Sequence, residues 1–243
     1  MTIESPLKLD TAYDPVGLWN FDGDPGTDEG AAGEDLVVAR GTAYYATGIS
    51  PGTKGLFFTD ALGLQGTSSP APAALRIIGD VTFQCVMRFA EFGIGTFGSE
   101  MISCKGTTAS EIENICYAMN MENDANRMSP QFQWEYGAGS TRVSIASTDF
   151  TFTTHRWYHI VMRRTDVGGG NSLGEIIVNN RLVASATDVS ASGGGNAIMQ
   201  SARNSSGYVA LPKCVISSIK INDRALTDAE LGAEFTRSAE AVR

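Results

Sequence analysis

Hydrophobic and polar positions alternate with period two along most of this chain, and the pattern changes only near its C-terminal end. The cleanest run is VTFQCVMRF, where Val81, Phe83, Cys85, Met87 and Phe89 share one face and Thr82, Gln84, Val86 and Arg88 the other. Successive side chains of a strand point to opposite faces, so this reads as a half-buried antiparallel strand with Cys85 in the core. From Trp157 to Arg164 there is bulk on both faces: Trp157, His159 and Val161 alternate with Tyr158, Ile160 and Met162. Such a strand belongs in the middle of a sheet, covered on both sides. Ile176-Ile177-Val178 and Leu182-Val183-Ala184 flank Asn179-Asn180. Asn tolerates the positive φ of a type I′ turn, so a two-residue hairpin is expected there.

Shorter apolar runs bounded by Gly or Pro add further strands: Val16–Phe21, Leu36–Val38, Gly41–Ala46, Gly55–Phe58, Met101–Cys104, Ile115–Met121, Gln131–Tyr136, Arg142–Ala146 and CVISSIKIN after Val209. In the first, Leu18 and Asn20 share one face, Trp19 and Phe21 the other. The segment 63–74, GLQGTSSPAPAA, reads as a surface loop by composition. After residue 225 the period becomes helical. Thr227 is an N-cap candidate with Glu230 closing a capping box, Leu226 can staple onto Leu231, and Leu231 and Phe235 stand i,i+4 on one face. The sum is an all-β, two-sheet antiparallel sandwich with a short C-terminal helix. No shift in composition divides it, so an arm over residues 1–15 precedes a single domain over 16–243.

Composition narrows the function classes. Gly is abundant at 27 residues and charged residues make up 19% of the chain, as expected of many loops and few helices. A net charge of −9 excludes a basic phosphate-binding surface, hence nucleic acid. Arg163-Arg164 is the one local basic pair and reads as a solvated strand end. No basic segment leads into an apolar core at the start, so manufacture in the cytoplasm without a signal peptide is expected. No run of 18 apolar residues offers a membrane span. Cys85, Cys104, Cys116 and Cys214 form no C-x-x-C pair and read as buried free thiols.

Four segments in order resemble the laminin-G-like, or concanavalin A-like lectin/glucanase, jelly roll. They are Gly17–Asp22 followed by Asp28-Glu29-Gly30, Trp157–Val161, Glu175–Ala184, and Ile219–Phe235 (IKINDRALTDAELGAEF). Asn180 stands where relatives often carry Gly. The resemblance covers residues 16–237 and implies the fold more strongly than any ligand.

That resemblance raises three chemistries. Glycoside hydrolysis, an alternative function, needs two carboxyls about 5–5.5 Å apart when it proceeds with retention. The nearest match to the family's E-x-D-x-x-E strand is Glu111-Ile112-Glu113-Asn114-Ile115-Cys116, where Cys116 replaces the last carboxylate. A rim calcium site would draw on Asp22, Asp24 and Asp28, against the simpler reading that Asp28-Glu29-Gly30 shapes a turn. Sugar binding needs an aromatic platform beside planar polar groups. Trp134, Tyr136 and Tyr208 are the candidate platforms; Asn171 and Asn196, in two GGGN loops expected to share one rim, are the candidate amides, with Gln131 and Gln133 nearby.

Two other patterns are set aside. His155 and His159 lack the helix and the Glu of a zinc-peptidase signature, so His159 is expected to be packed and hydrogen-bonded. Gly93–Gly98 matches G-x-G-x-x-G but sits between strands and reads as a loop. The expectation is a non-enzymatic binding or structural protein with glycans as its likeliest ligand class. Its relatives encoded singly suggest a virus-particle component, such as a phage capsid decoration or tail appendage. In that setting residues 1–15 would contact capsid or tail proteins, and the chain could form homo-oligomers.

Overall fold

The computed structural model describes residues 9, 11–22, 26–48, 53–59, 62–92, 99–105, 116–124, 127–136, 141–191, 198–200, 203–204, 207–208 and 213–240. Period-two runs of β-branched and aromatic residues pair into ladders wherever their apolar faces can be covered. In chain order these are β1 (Gly17–Asn20), β2 (Leu36–Arg40), β3 (Tyr44–Thr47), β4 (Lys54–Phe58), β5 (Gly63–Gly66), β6 (Val81–Glu91), β7 (Ser99–Lys105), β8 (Tyr117–Asp124) and β9 (Arg127–Tyr136). Then follow β10 (Thr141–Ala146), β11 (Trp157–Gly168), β12 (Asn171–Val178), β13 (Arg181–Val189), β14 (Ile198–Gln200), β15 (Arg203–Asn204), β16 (Gly207–Tyr208), β17 (Lys213–Asn222) and the helix α1 (Asp228–Glu240).

The first sheet has the order β13-β12-β11-β6-β17-β4-β3, and β1 also pairs with β17. One edge of β17 is therefore divided: Cys214–Ile216 pair with β4, and Ser218–Ile221 with β1. The second sheet runs β10-β9-β8-β7-β14-β5-β2, and β15 and β16 form a separate two-stranded ladder. Segment 63–74 is not all loop. Its start is β5, held between β14 and β2, because Leu64 fills the core there and sheet pairing overrides the Gly-rich composition.

Between the sheets lies one core, with Phe83, Cys85, Met87, Phe89, Ile160, Met162 and Ile216 facing Leu64, Tyr117, Met119, Phe132, Trp134 and Ile145. Each large apolar side chain buried this way contributes about 1.5–3 kcal/mol relative to its exposed state. β11 is central and covered on both faces, as its two-sided bulk predicts. Tyr158, Ile160 and Met162 enter the main core, whereas Trp157 and Val161 pack on the opposite face.

That opposite face is where β6 departs from expectation. Thr82 and Gln84 are fully buried and Val86 nearly so, because the N-terminal arm and α1 lie over them. Leu9 packs with Leu18, Val86 and Trp157; Leu226 and Leu231 pack with Val161, Ile177 and Tyr13. Leu9 and Thr11–Pro15 thus belong to the folded body. Tyr13 receives Asn222 Nδ2 on its carbonyl at 2.8 Å, and Lys220, Arg224 and Arg237 lie 5.6–5.8 Å from its ring.

The helix begins as its sequence dictates. Glu230 N–H donates to Thr227 Oγ1 at 3.3 Å and Thr227 N–H donates to Glu230 Oε2 at 2.7 Å, a reciprocal capping box. The β12–β13 turn also forms as read, with Asn179 and Asn180 at φ 50° and 60°. Asn179 Oδ1 accepts from His159 N–H at 2.9 Å, tying the turn to β11.

Arg163-Arg164 is not a solvated strand end. Arg163 donates to Glu175 at 2.7 Å and to Asp228 at 2.8 Å. Arg164 points into the sandwich and is fully buried. Its guanidinium donates to the carbonyls of Cys116 (2.8 Å), Ile77 (3.1 Å) and Gly79 (2.7 and 2.9 Å), and lies 5.7 Å from the Trp134 ring. Burial pushes its pKa down to about 10, so it stays a cation at neutral pH.

Candidate functional site

The outward face of the second sheet is built by strand alternation. Leu64, Cys104, Tyr117, Met119, Phe132, Trp134, Val143 and Ile145 fill the inward positions. Their neighbours in sequence must point away from the core. The ladders align those neighbours into one row: Val37 opposite Gln65, then the positions of Gln200, Ser103, Ala118, Gln133 and Ser144. In a second row Gln131 stands opposite Asn120 and Ala146.

These side chains form an amide cluster. Gln131 Oε1 accepts from Gln133 Nε2 at 2.7 Å and, at the long limit of 3.5 Å, from Asn120 Nδ2. Gln133 Nε2 also reaches Ser144 Oγ at 3.4 Å. Although they face away from the core, Ser103, Asn120 and Gln133 are 0%, 7% and 9% exposed. The Asn120 Oδ1 atom is buried without a hydrogen-bond partner. An unpaired buried amide oxygen costs about 1–3 kcal/mol, which a hydroxyl or N–H donor reaching it would recover. A row of amides and hydroxyls can bind a polyhydroxylated ligand through many neutral hydrogen bonds.

The residues anticipated from sequence are distributed differently. Trp134 is no platform: it is fully buried, and its Nε1–H donates to the Val189 carbonyl at 2.9 Å. It falls in phase with Phe132 on β9, which directs both rings inward. A Cβ on Gly174 would stand 2.6 Å from Trp134 Cη2, so the indole lies flush on the β12 backbone. Tyr136 closes β9 opposite Thr141, and Tyr208 pairs with Arg203; their side chains lie outside the described residues. Asn171 is exposed beside a turn through Gly168, Gly169 and Gly170, whose carbonyl (Gly170) accepts from Ser190 N–H at 3.0 Å. Asn196 and its GGGN loop lie outside the described residues, as do Glu111 and Glu113. Cys116 is buried in the core, so the last position of the hydrolase-like motif has neither carboxylate nor access.

The calcium reading does not fit Asp28. Its Oδ1 accepts from Leu18 N–H (2.8 Å) and Gly30 N–H (2.7 Å), and its Oδ2 from Glu34 N–H (2.8 Å). A carboxylate committed to three backbone donors shapes the loop, the turn role anticipated as the alternative. Burial raises its pKa, and the three N–H donors partly offset that rise. Asp22 Oδ1 accepts from Lys54 N–H at 2.9 Å, and Asp24 lies outside the described residues. Among the described residues no three His, Cys, Asp or Glu side chains come together to hold a metal.

His159 is packed and hydrogen-bonded, though on the outer face of the first sheet and not between the sheets. Its Nε2 lies 2.8 Å from Gln84 Oε1, and its ring stacks on Phe235 with centroids 6.4 Å apart. Burial and the nearby Lys220 cation lower its pKa to about 4, so it is neutral at physiological pH. Lys220 itself is fully buried, paired with Glu234 of α1 and donating to the Ala12 carbonyl at 2.7 Å. These residues join the helix and arm to the sheet; their polar character gave no sign in the sequence of being covered.

No family model matches the chain, and no curated protein matches it. Solved structures do. The binding domain of botulinum neurotoxin DC, in complex with SialylT, aligns with a TM-score of 0.65 at 12% identity over 92% of this chain and 51% of that one. The same toxin domain in complex with rat synaptotagmin II aligns with a TM-score of 0.66 at 12% identity, over the same shares. Domain 4 of AbnA, a GH43 extracellular arabinanase from Geobacillus stearothermophilus, in complex with arabinotriose, aligns with a TM-score of 0.62 at 14% identity over 91% of this chain and 98% of that one. The chain spans about half the length of the toxin binding domains and nearly all of the arabinanase domain. At such identities the likeness carries the fold alone: an all-β sandwich of the kind found in these binding domains.

Proposed function

We propose that this chain is a non-enzymatic glycan-binding domain of laminin-G-like type, taking its ligand on the outward face of the second sheet. The carrying observation is the Asn120–Gln131–Gln133–Ser144 cluster, with the unpartnered Asn120 Oδ1 at one end. Amides and hydroxyls in a row along directly opposed strand positions suit the dense donor–acceptor pattern of a sugar chain. Solved domains of the same architecture, in complex with arabinotriose and with SialylT, support the ligand class.

The test is a glycan array probed with the full chain, followed by calorimetry with the best hit and with arabinotriose. Removing the Gln133 amide, Gln133→Ala, should weaken binding about tenfold, the equivalent of one or two hydrogen bonds. No signal across the array, or affinity unchanged in Gln133→Ala, would overturn the assignment. A capsid or tail partner, if the domain rides on a virus particle, would have residues 1–8 for contact, since Leu9 and Thr11–Pro15 are committed to the sandwich. Co-purification with particles, lost on deleting residues 1–8, tests that setting.

A further inference from the structure

We infer that Cys104 and Cys116 are a disulfide-forming pair, a covalent modification site on the inner side of the two strands that carry the proposed ligand face. Cys104 lies on β7 opposite Tyr117, and Cys116 immediately precedes β8. Cys116 N–H donates to the Cys104 carbonyl at 2.9 Å, which holds the two backbones at ladder distance. Both side chains enter the same core cluster and both are fully buried. Burial raises the Cys104 pKa, and the neighbouring Cys116 thiol adds to that rise. Disulfides need Cα atoms about 4.4–6.8 Å apart, a span within reach of two residues on neighbouring segments whose backbones share a hydrogen bond.

The other cysteines do not meet it. Cys85 stands opposite Ile219 and Ile160, while Cys214 stands opposite Phe89 and Phe58. Four residues of β6 therefore separate Cys85 from the position facing Cys214, roughly 13 Å at the rise of a strand. Among the four, Cys104 and Cys116 are the two whose backbones are joined by a hydrogen bond.

The chemistry requires a two-electron acceptor, and a small-molecule disulfide such as oxidised glutathione supplies it. One cysteine, as thiolate, attacks a glutathione sulfur, forming a mixed disulfide and releasing one glutathione thiolate. The second cysteine thiolate then attacks the mixed disulfide at the protein sulfur, closing the Cys104–Cys116 bond and releasing the second. The protein loses two thiol protons and two electrons; the two glutathione thiolates take up those protons and hold the electrons. Because both thiols are buried and the pKa of Cys104 is raised, exchange runs while the chain folds or opens, and hardly at all in the closed native state. The bond would close an eleven-residue connection and fix β7 to β8 directly behind Ser103, Ala118 and Asn120.

The experiment uses the full wild-type chain, refolded from denaturant in buffers poised with oxidised or with reduced glutathione. Each sample is alkylated after acid quenching and mapped by mass spectrometry. In the oxidised buffer the expected product takes up two alkyl groups instead of four, carries a peptide cross-linked between Cys104 and Cys116, and leaves Cys85 and Cys214 alkylated. It should melt roughly 5–10 °C above the reduced form, as closing a short loop in the unfolded chain implies. Four alkylated cysteines in cooperatively melting protein from the oxidised buffer would overturn the inference, and so would cross-links to Cys85 or Cys214. Should refolding fail, the same mapping on native protein, held with oxidised glutathione in sub-denaturing urea, gives the same two readings. A Cys104→Ser variant should show no cross-link under either protocol; one that persisted would equally refute the pairing.

Discussion

Arg164 offers the sharpest test of how this sandwich is held together, because a single cation inside the core serves three carbonyls and no carboxylate receives its hydrogen bonds. Replacing it by Met keeps length and apolar bulk but removes every donor. The carbonyls of Ile77, Gly79 and Cys116 would then lack the bonds now made at 2.7–3.1 Å. At about 1–3 kcal/mol for each buried acceptor left unpaired, the loss is about 3–9 kcal/mol. Against it stands relief from keeping a charge out of water. The pKa drop from 12.5 to about 10 measures that relief as about 3 kcal/mol. The net expectation for Arg164→Met is a destabilisation of about 3 kcal/mol, a fall in Tm of roughly 6–12 °C for a chain of this size. Urea titration followed by tryptophan fluorescence suits the measurement, since the guanidinium lies over the Trp134 ring. Arg164→Lys, which keeps the charge but loses the planar fork, should fall between the two. If Arg164→Met melted at or above wild type, desolvation would outweigh the carbonyl contacts and the stapling role would be wrong.

Two further predictions concern stability. His159 has a folded pKa of about 4 against an ordinary 6.5, so the unfolded chain takes up a proton that the folded one refuses. Its contribution is complete above pH 6.5, declines as pH falls toward 4, and amounts to about 3 kcal/mol over that window. Urea midpoints for wild type and His159→Gln should accordingly converge as pH drops from 7 to 4.5; parallel pH profiles would count against a neutral buried imidazole. Gly174→Ala would press a methyl group into the Trp134 ring and Ile145, at a cost of about 1–3 kcal/mol. Unchanged stability by calorimetry would show that the indole does not rest on the β12 backbone as described.

What could be read in the sequence was what local chemistry decides. The Asn179-Asn180 turn and the Thr227–Glu230 capping box depend on residues within a few positions of one another, and both form as written. The two-sided bulk of β11 likewise announces its central place. Trp134 and Arg164 hide their burial from the sequence because it depends on the opposite sheet, Gly174 of β12 under the indole and the carbonyls of Ile77, Gly79 and Cys116 around the guanidinium, all distant in sequence. The same reason hid the polar face of β6: Gln84 looks solvent-facing until α1 and the arm, more than seventy residues away on either side, are laid over it. Of the proposed site, Gln131 and Gln133 were visible as amides near aromatics. Their alignment with Asn120 and Ser144 is a property of register, which no single strand encodes.

The divided edge of β17 bears on how a ribosome delivers this chain. The last of the sandwich's described strands in chain order, Lys213–Asn222, is the seam between β6 on one side and both β4 and β1 on the other. Until it emerges, β1 lacks the ladder that holds it, and the first sheet exists as two unjoined pieces. Assembly of the first sheet therefore waits until Lys213–Asn222 has been made, a strongly non-local order of events that slows folding and leaves open strand edges waiting. A product ending before Lys213 would lose the keystone along with the helix, and would be a substrate for chaperones or proteases rather than a smaller working domain.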